Sequence, residues 1–240
     1  MDTEITDRTR DTVPSADPRP ARLAAYITHQ GVLDGISRGT PYGHMGATIT
    51  DVALQARWNY AHTVRPRAKQ VRARYPEAAT TTLFCELIAD PIQAQRVLKT
   101  KHVGKIRIAQ ALAAFLAAAH VETEEQLRTW VDAPGNRRQL LAIHGVGPKT
   151  AAYLAIRAGA PDAVAVDVHL RRFLGEAPID TRGDGDVVIT AAARILGMAP
   201  ADLDGAIWRY QRRQRRGRRG RRAASGSRSV AHCLGQTRFS

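Results

Sequence analysis

The chain is poor in cysteine, in aromatic residues and in acids, and each shortage closes off a class of protein. Only Cys85 and Cys233 occur in 240 residues. Two thiols cannot build a disulfide framework, a four-thiolate zinc site or a four-cysteine iron–sulfur cluster. A reduced cytosolic protein is the simplest expectation. Aromatic residues make up 5% of the chain, so any base-stacking platform is small. No apolar run reaches the ~18 residues of a membrane span. The richest stretch, AQALAAFLAAA at 109–119, is short and dominated by alanine. The first twenty residues, MDTEITDRTRDTVPSADPRP, lack the apolar region of a signal peptide. Acids number 22 against 36 Lys and Arg, a formal net charge of +14 that suggests a polyanionic partner. The excess is uneven. Residues 211–240 hold ten arginines and no acid, so 14 − 10 leaves +4 for residues 1–210. The folded part is therefore only mildly basic.

What is present favours helices. Hydrophobic residues make up 44%, alanine is abundant and β-branched runs are few. Residues 1–20 are polar with three prolines and read as a disordered arm. ARLAAYITHQGVLDGI (21–36) carries a helical stripe of Leu23, Tyr26, Ile27 and Ile36, broken near Gly31. From about Thr48 to Leu174 helices follow closely. TITDVALQARWNYAH reads as amphipathic, Pro66 suits a first helical turn, and Thr80 and Asp90 read as caps. Thr123 and Gln126 fit a capping box, and Asn136 is placed to cap RRQLLAI. Two helices, DVVITAAARILG and ADLDGAIWRYQRR, follow the loop after Leu174. Residues 212–240 are arginine- and glycine-rich, then serine-rich, and read as a disordered tail. The expected fold class is all-α.

The informative stretch is IHGVGPKTAAYLAIRAGAPDAVAVDVHLRRFL. RRQLLAI, then HGVG, then PKTAAYLAIRAG reads as helix, tight turn, helix. Glycines suit the turn, Pro148 suits the first position of the second helix, and free N–H groups around Gly145, Val146 and Gly147 would suit a phosphate oxygen. This resembles the helix-hairpin-helix motif of DNA-binding proteins. Lys149 and Thr150 lie in the first turn after the hairpin. Helix 148–158 climbs ~15 Å. Gly159 and Pro161 stop it. Six extended residues then reach back ~20 Å. Asp167 therefore returns to about the level of Lys149, at the start of VHLRRFL, where a helix N-terminus favours a carboxylate. Taken singly, Asp167 is a helix cap and Lys149 a phosphate contact. The two lie eighteen residues apart, which is also the lysine-to-aspartate spacing of the family that this stretch resembles.

GVGPKTA, the loop AGAPDA and then VDVH resemble the helix-hairpin-helix–Gly/Pro–Asp (HhH-GPD) superfamily of DNA glycosylases, whose familiar members are endonuclease III and the oxidised-guanine glycosylases. The strong match covers about residues 136–174. The resemblance implies a two-lobed fold, with 48–165 as the lobe carrying the hairpin (about 137–158) and 21–47 plus 166–211 as the other. Duplex DNA with a damaged or mismatched base would lie across the cleft between Lys149 and Asp167. The base would be flipped out of the stack. Asp167 would stabilise charge at C1′ or deprotonate the nucleophile, and a neutral Lys149 would attack C1′ and form a Schiff base. Base excision with associated strand nicking at abasic (AP) sites is the function implied, in a monomer without cofactor, associated with the nucleoid in the cytoplasm. The iron–sulfur loop of endonuclease III has no counterpart, because Cys233 is the only cysteine past Cys85. Gln55, within LQA, resembles a residue that fills the gap left by a flipped base; His102 or Val103 in the KHVG loop is another candidate. His169 is a candidate DNA contact or brace for Asp167. Trp58, Tyr60, Tyr153 and Trp208 are candidates for a base pocket. Two alternatives stand beside this: a non-catalytic helix-hairpin-helix DNA-binding protein, and a repair fold turned to a structural or RNA-binding role. The excised base is not legible in the sequence.

Overall fold

The computed structural model describes residues 17–34, 40–181 and 183–215. Over these residues the fold is all-α, with no strand. The expected disordered arm lies almost wholly outside the described residues. So does the tail from residue 216 on.

In chain order, α1 spans Arg19–His29, α2 Met45–Leu54 and α3 Arg65–Arg74. Then come α4 Thr81–Leu87, α5 Pro91–Leu98, α6 Val103–Ala118 and α7 Glu124–Asp132. A short α8, Asn136–Gln139, leads through the hairpin to α9, Pro148–Arg157. They are followed by α10 Val168–Glu176, α11 Gly185–Ile195 and α12 over 200–215. Many of the ends are set by local chemistry. The Thr80 and Asp90 side chains accept from the backbone N–H of Leu83 and Gln93, and Thr123 with Gln126 forms a reciprocal capping box. Asn136 differs from expectation. It is the first helical residue rather than the cap, and its Nδ2 donates to the Trp130 carbonyl at 2.9 Å. Gly135 takes the cap position at φ +85°.

α2 is also not the amphipathic helix its pattern suggests. All ten of its residues are buried, enclosed by α3, α4, α6 and α9. It stops at Leu54, and after an irregular stretch Asn59 caps a π-helical turn, Tyr60–Val64, that runs into α3. The physical reason is polar. Lys105 Nζ donates to the Leu54 carbonyl, where a longer helix would have placed the N–H of its next turn.

The side chains form two main cores. The first gathers Met45, Ile49, Phe84, Leu98, Leu112, Leu116, Leu127 and Leu154, all fully buried, from α2 to α9. The second gathers Leu23 and Ile27 from α1 with Leu170, Phe173, Ile189 and Ile207 from α10 to α12. Burying each such side chain contributes roughly 1.5–3 kcal/mol. The chain thus leaves the second unit after α1, builds the first from α2 to α9, and returns. The return segment turns at Pro161 and Asp162 and then runs without regular structure over residues 163–167. α12 holds it at two points: the Ala201 N–H donates to the Pro161 carbonyl at 3.0 Å, and the Ala165 N–H donates to Asp204 Oδ2 at 2.6 Å.

Candidate functional site

The hairpin turn is tight because of one glycine. Gly145 has φ +86°, and a Cβ there would lie 2.9 Å from the Ile108 side chain. Gly147, by contrast, has ordinary extended backbone (φ −101°) and open space where its Cβ would be. The expectation that both glycines are conformationally required therefore holds only for Gly145. Val146 is also corrected: its side chain is buried in the first core and its N–H donates to the Ile143 carbonyl at 2.9 Å, so that N–H is not free for a phosphate. Neither the Gly145 nor the Gly147 N–H has a partner among the described residues. The Thr150 N–H closes the first turn onto the Gly147 carbonyl at 2.9 Å.

Pro148 opens α9, which places Lys149 at the second helical position. α9 ends on Gly159 at φ +87°, with the Ala160 N–H reaching back to the Ala155 carbonyl at 3.0 Å. The segment after it then brings Asp167 to the start of α10. Its Oδ1 accepts from the N–H groups of His169 (2.7 Å) and Leu170 (3.0 Å). Asp167 is therefore a true helix cap, and its carboxylate is also close enough to interact with the Lys149 charge.

Lys149 is half-buried. Its Nζ donates to Gln55 Oε1 and lies 5.1 Å from the Tyr153 ring centroid, one turn along α9. Burial pushes the amine below the usual lysine range, and the carboxylates of Asp167, Asp204 and Asp51 oppose that shift. Gln55 is turned inward onto this lysine, and its Nε2 is buried without a partner.

Three groups at this place have no warning in the sequence. Lys105 is buried on α6 and donates to the carbonyls of Leu54 (2.9 Å) and Ala56 (2.7 Å), gripping the end of α2. Burial, with the neighbouring Lys149 and Arg57 charges, lowers it to about 8. Asp51 is fully buried and accepts from the phenols of Tyr42 (2.8 Å), Tyr153 (3.1 Å) and Tyr60 (3.3 Å), with Arg157 Nε at 3.5 Å. Desolvation raises its carboxyl, while Arg157 and the three phenols oppose the rise. This network ties α2 to α9 and so sets Gln55 against Lys149. Asp204 on α12 is 8% exposed and is raised to about 7, first by burial and then by the Asp167 charge, against the Ala165 N–H and Lys149. A lone acid in a helical pattern such as ADLDGAI looks like a solvated face, so no periodicity could have singled it out.

The other expected residues divide. His169 stands beside Asp167 with its Nδ1 buried and unpartnered, and its ring lies edge-on to Trp208 at 6.1 Å. Burial lowers its pKa; Asp167 opposes this, and Arg215, Arg172 and Arg212 reinforce it. Tyr60 meets Trp208 edge-on at 6.0 Å. His102 is exposed and caps α6, its Nδ1 accepting from the Lys105 N–H at 3.4 Å, and its ring faces Trp58 at 6.2 Å. Val103 beside it is 56% exposed. Trp58 carries the Arg67 guanidinium at 5.5 Å and Lys105 Nζ at 5.2 Å over its ring. Among the described residues no group of three or more His, Cys, Asp or Glu could hold a metal ion, and no helix is long and apolar enough to cross a membrane.

A family described as a domain of unknown function (DUF8548) matches residues 12–212. That is most of the chain, and the protein belongs to this family. No curated protein matches it.

Proposed function

We propose that the chain is a DNA base-excision glycosylase with AP lyase activity, built on the two-lobed HhH-GPD fold. The observation that carries this reading is Lys149. It is a half-buried amine at the exit of a glycine hairpin, pushed towards its neutral form and within electrostatic reach of Asp167. Only a neutral amine has the lone pair to attack a carbon. In the proposed reaction Lys149 Nζ bonds to C1′ of a flipped nucleotide. The glycosidic C1′–N bond breaks, and the base leaves with the electron pair and acquires a proton. Asp167 stabilises positive charge on the sugar as that bond lengthens. The sugar ring opens to a Schiff base on Lys149. Loss of a C2′ proton then expels the 3′-phosphate and nicks the strand. The Gly145 and Gly147 N–H groups would hold a backbone phosphate without reading sequence.

The decisive experiment is borohydride trapping on an abasic duplex. Wild type is expected to form a covalent adduct, and Lys149→Ala to lose it by roughly a thousandfold or more. Asp167→Asn keeps a capping oxygen for α10, so its loss of base release would report on charge rather than on folding. Absence of an adduct with wild type would falsify the lyase assignment. Base release undiminished in Asp167→Asn would remove the carboxylate from the mechanism. A panel of lesion-containing duplexes, scored separately for base release and nicking, identifies the substrate.

A further inference from the structure

Gln55 holds Lys149 and leaves half of its own side chain unpaired. It is the C-cap residue of α2, fixed at φ −65°, ψ −29°, with its backbone N–H on the Asp51 carbonyl at 3.1 Å. A carboxamide carries an acceptor oxygen and two N–H donors. The oxygen faces Lys149 Nζ and accepts from it. Nε2 is buried and donates to nothing among the described residues. The carbonyls nearest in the chain are engaged. Those of Leu54 and Ala56 accept from Lys105, and that of Gln55 itself accepts the Trp58 N–H at 3.4 Å. A buried donor without a partner carries its full desolvation penalty. Methionine would fill the same space without that penalty. Glutamate would grip an ammonium more strongly, because an opposite charge favours the protonated amine. Neither packing nor charge pairing explains an amide at this position.

The chemistry assigned to Lys149 creates the missing acceptor. When an amine adds to C1′ of an abasic sugar, nitrogen and oxygen come to sit on one carbon. They lie about 2.4 Å apart, and the oxygen and nitrogen of a carboxamide lie about 2.2 Å apart. The adduct offers an N–H beside an oxygen; the carboxamide offers an oxygen beside an N–H. Glutamine makes the same two-point match with adenine. A carboxamide whose oxygen already lies on the amine nitrogen therefore brings its own N–H to the oxygen two bonds away.

We propose that the Gln55 carboxamide is a catalytic group that clasps the adduct of Lys149 with C1′, its Oε1 accepting from Nζ and its Nε2 donating to the oxygen on C1′. The proposal rests on the lyase reading above. At an abasic site the Nζ lone pair forms the bond to C1′, and the C=O electron pair moves onto O1′, where the Nε2 N–H meets it. One proton passes from Nζ to O1′. A second, from solvent, lets O1′ leave as water while the nitrogen lone pair forms the C=N bond of the iminium. With a base still attached, the same donor meets O4′ as the ring opens. A donor aimed at an oxygen that gains charge lowers the barrier of that step. Gln55 thereby acts on the flipped sugar, not in the gap left in the duplex.

The test is the single-turnover rate of borohydride-trapped adduct on an abasic duplex, across a pH series, with the full chain. Gln55→Glu keeps the size and an acceptor oxygen and loses the N–H donor. Its charge favours the Lys149 ammonium, so its profile moves to higher pH. A residue that only positioned Lys149 would regain the wild-type rate on the high-pH plateau. The donor role lowers that plateau by roughly a hundredfold, the loss that follows removal of one such donor. Gln55→Met removes both groups and should lower the plateau at least as far, without the shift. The nearly isosteric Gln55→Glu keeps the test decidable if Gln55→Met folds poorly. A plateau restored in Gln55→Glu overturns the proposal. So does a loss of rate that disappears at saturating duplex, which would make Gln55 a binding residue. Wild type that forms adduct at a rate indifferent to both variants overturns this inference alone. Wild type that forms no adduct overturns the lyase reading and this inference with it.

Discussion

Two desolvated lysines flank the end of α2, and their surroundings differ in kind. Lys105 gives its ammonium two backbone carbonyls and the face of Trp58. Lys149 has one side-chain acceptor, Gln55 Oε1, among the described residues, and faces carboxylates without bonding to them. Both are depressed by burial. A lysine whose donors are matched is a brace. A lysine held by one amide can release it and keep a lone pair for chemistry. Burial alone does not distinguish the two roles; the set of acceptors does.

Replacing each lysine in turn breaks this comparison most sharply. Lys149→Met should abolish the trapped adduct, a loss of roughly a thousandfold or more, with little change in the thermal midpoint. Lys105→Met should do the reverse. It leaves two carbonyls at the end of α2 unpaired, and chemical denaturation should show about 3 kcal/mol lost. An adduct that survives Lys149→Met and disappears in Lys105→Met would exchange their roles.

A smaller effect separates Asp204 from Asp167, the other pair of like groups. The Asp204 carboxyl titrates near 7 in the folded chain against 3.8 for an unperturbed aspartate, so the folded state holds its proton more tightly. That stabilising contribution is fully present below the unfolded value and is lost as pH rises through about 7. Asn at 204 accepts from the Ala165 N–H and does not titrate. Asp204→Asn should therefore gain on wild type by on the order of 2 kcal/mol between pH 5 and pH 8. Parallel melting curves of the two proteins across that range would show that burial of this acid carries no penalty.

The smallest contrast lies within the hairpin. Gly145→Ala meets both a left-handed backbone and Ile108, and should cost about 1–2 kcal/mol. Gly147→Ala meets neither, and should cost less than about 0.5 kcal/mol. Equal losses in denaturant titrations would mean that the turn is held by something other than the Gly145 conformation.

Legibility follows the range of the interaction. The caps at Thr80, Asp90 and Thr123, the stop at Gly159 and the cap at Asp167 are readable, because each is decided within about four residues. Asn136 departs from its pattern because its side chain is drawn off by the Trp130 carbonyl of the preceding helix. The burial of α2 is hidden because Thr48, Thr50 and Asp51 look like a polar face. Tyr42, Tyr60, Tyr153 and Arg157, which let Asp51 be buried, come from three other parts of the chain.

The amino-acid sequence by itself determined the helical class, the hairpin and the return of the chain to Asp167, since propensity, turn chemistry and chain reach are local. Only the tertiary structure decided that Lys149 is desolvated, that Gln55 holds it, that Lys105 braces the neighbouring helix end, and that Asp204 is buried behind Asp167. The reason is that solvation and charge at a point depend on what packs around it. At this point the neighbours come from α2, α6, α9 and α12.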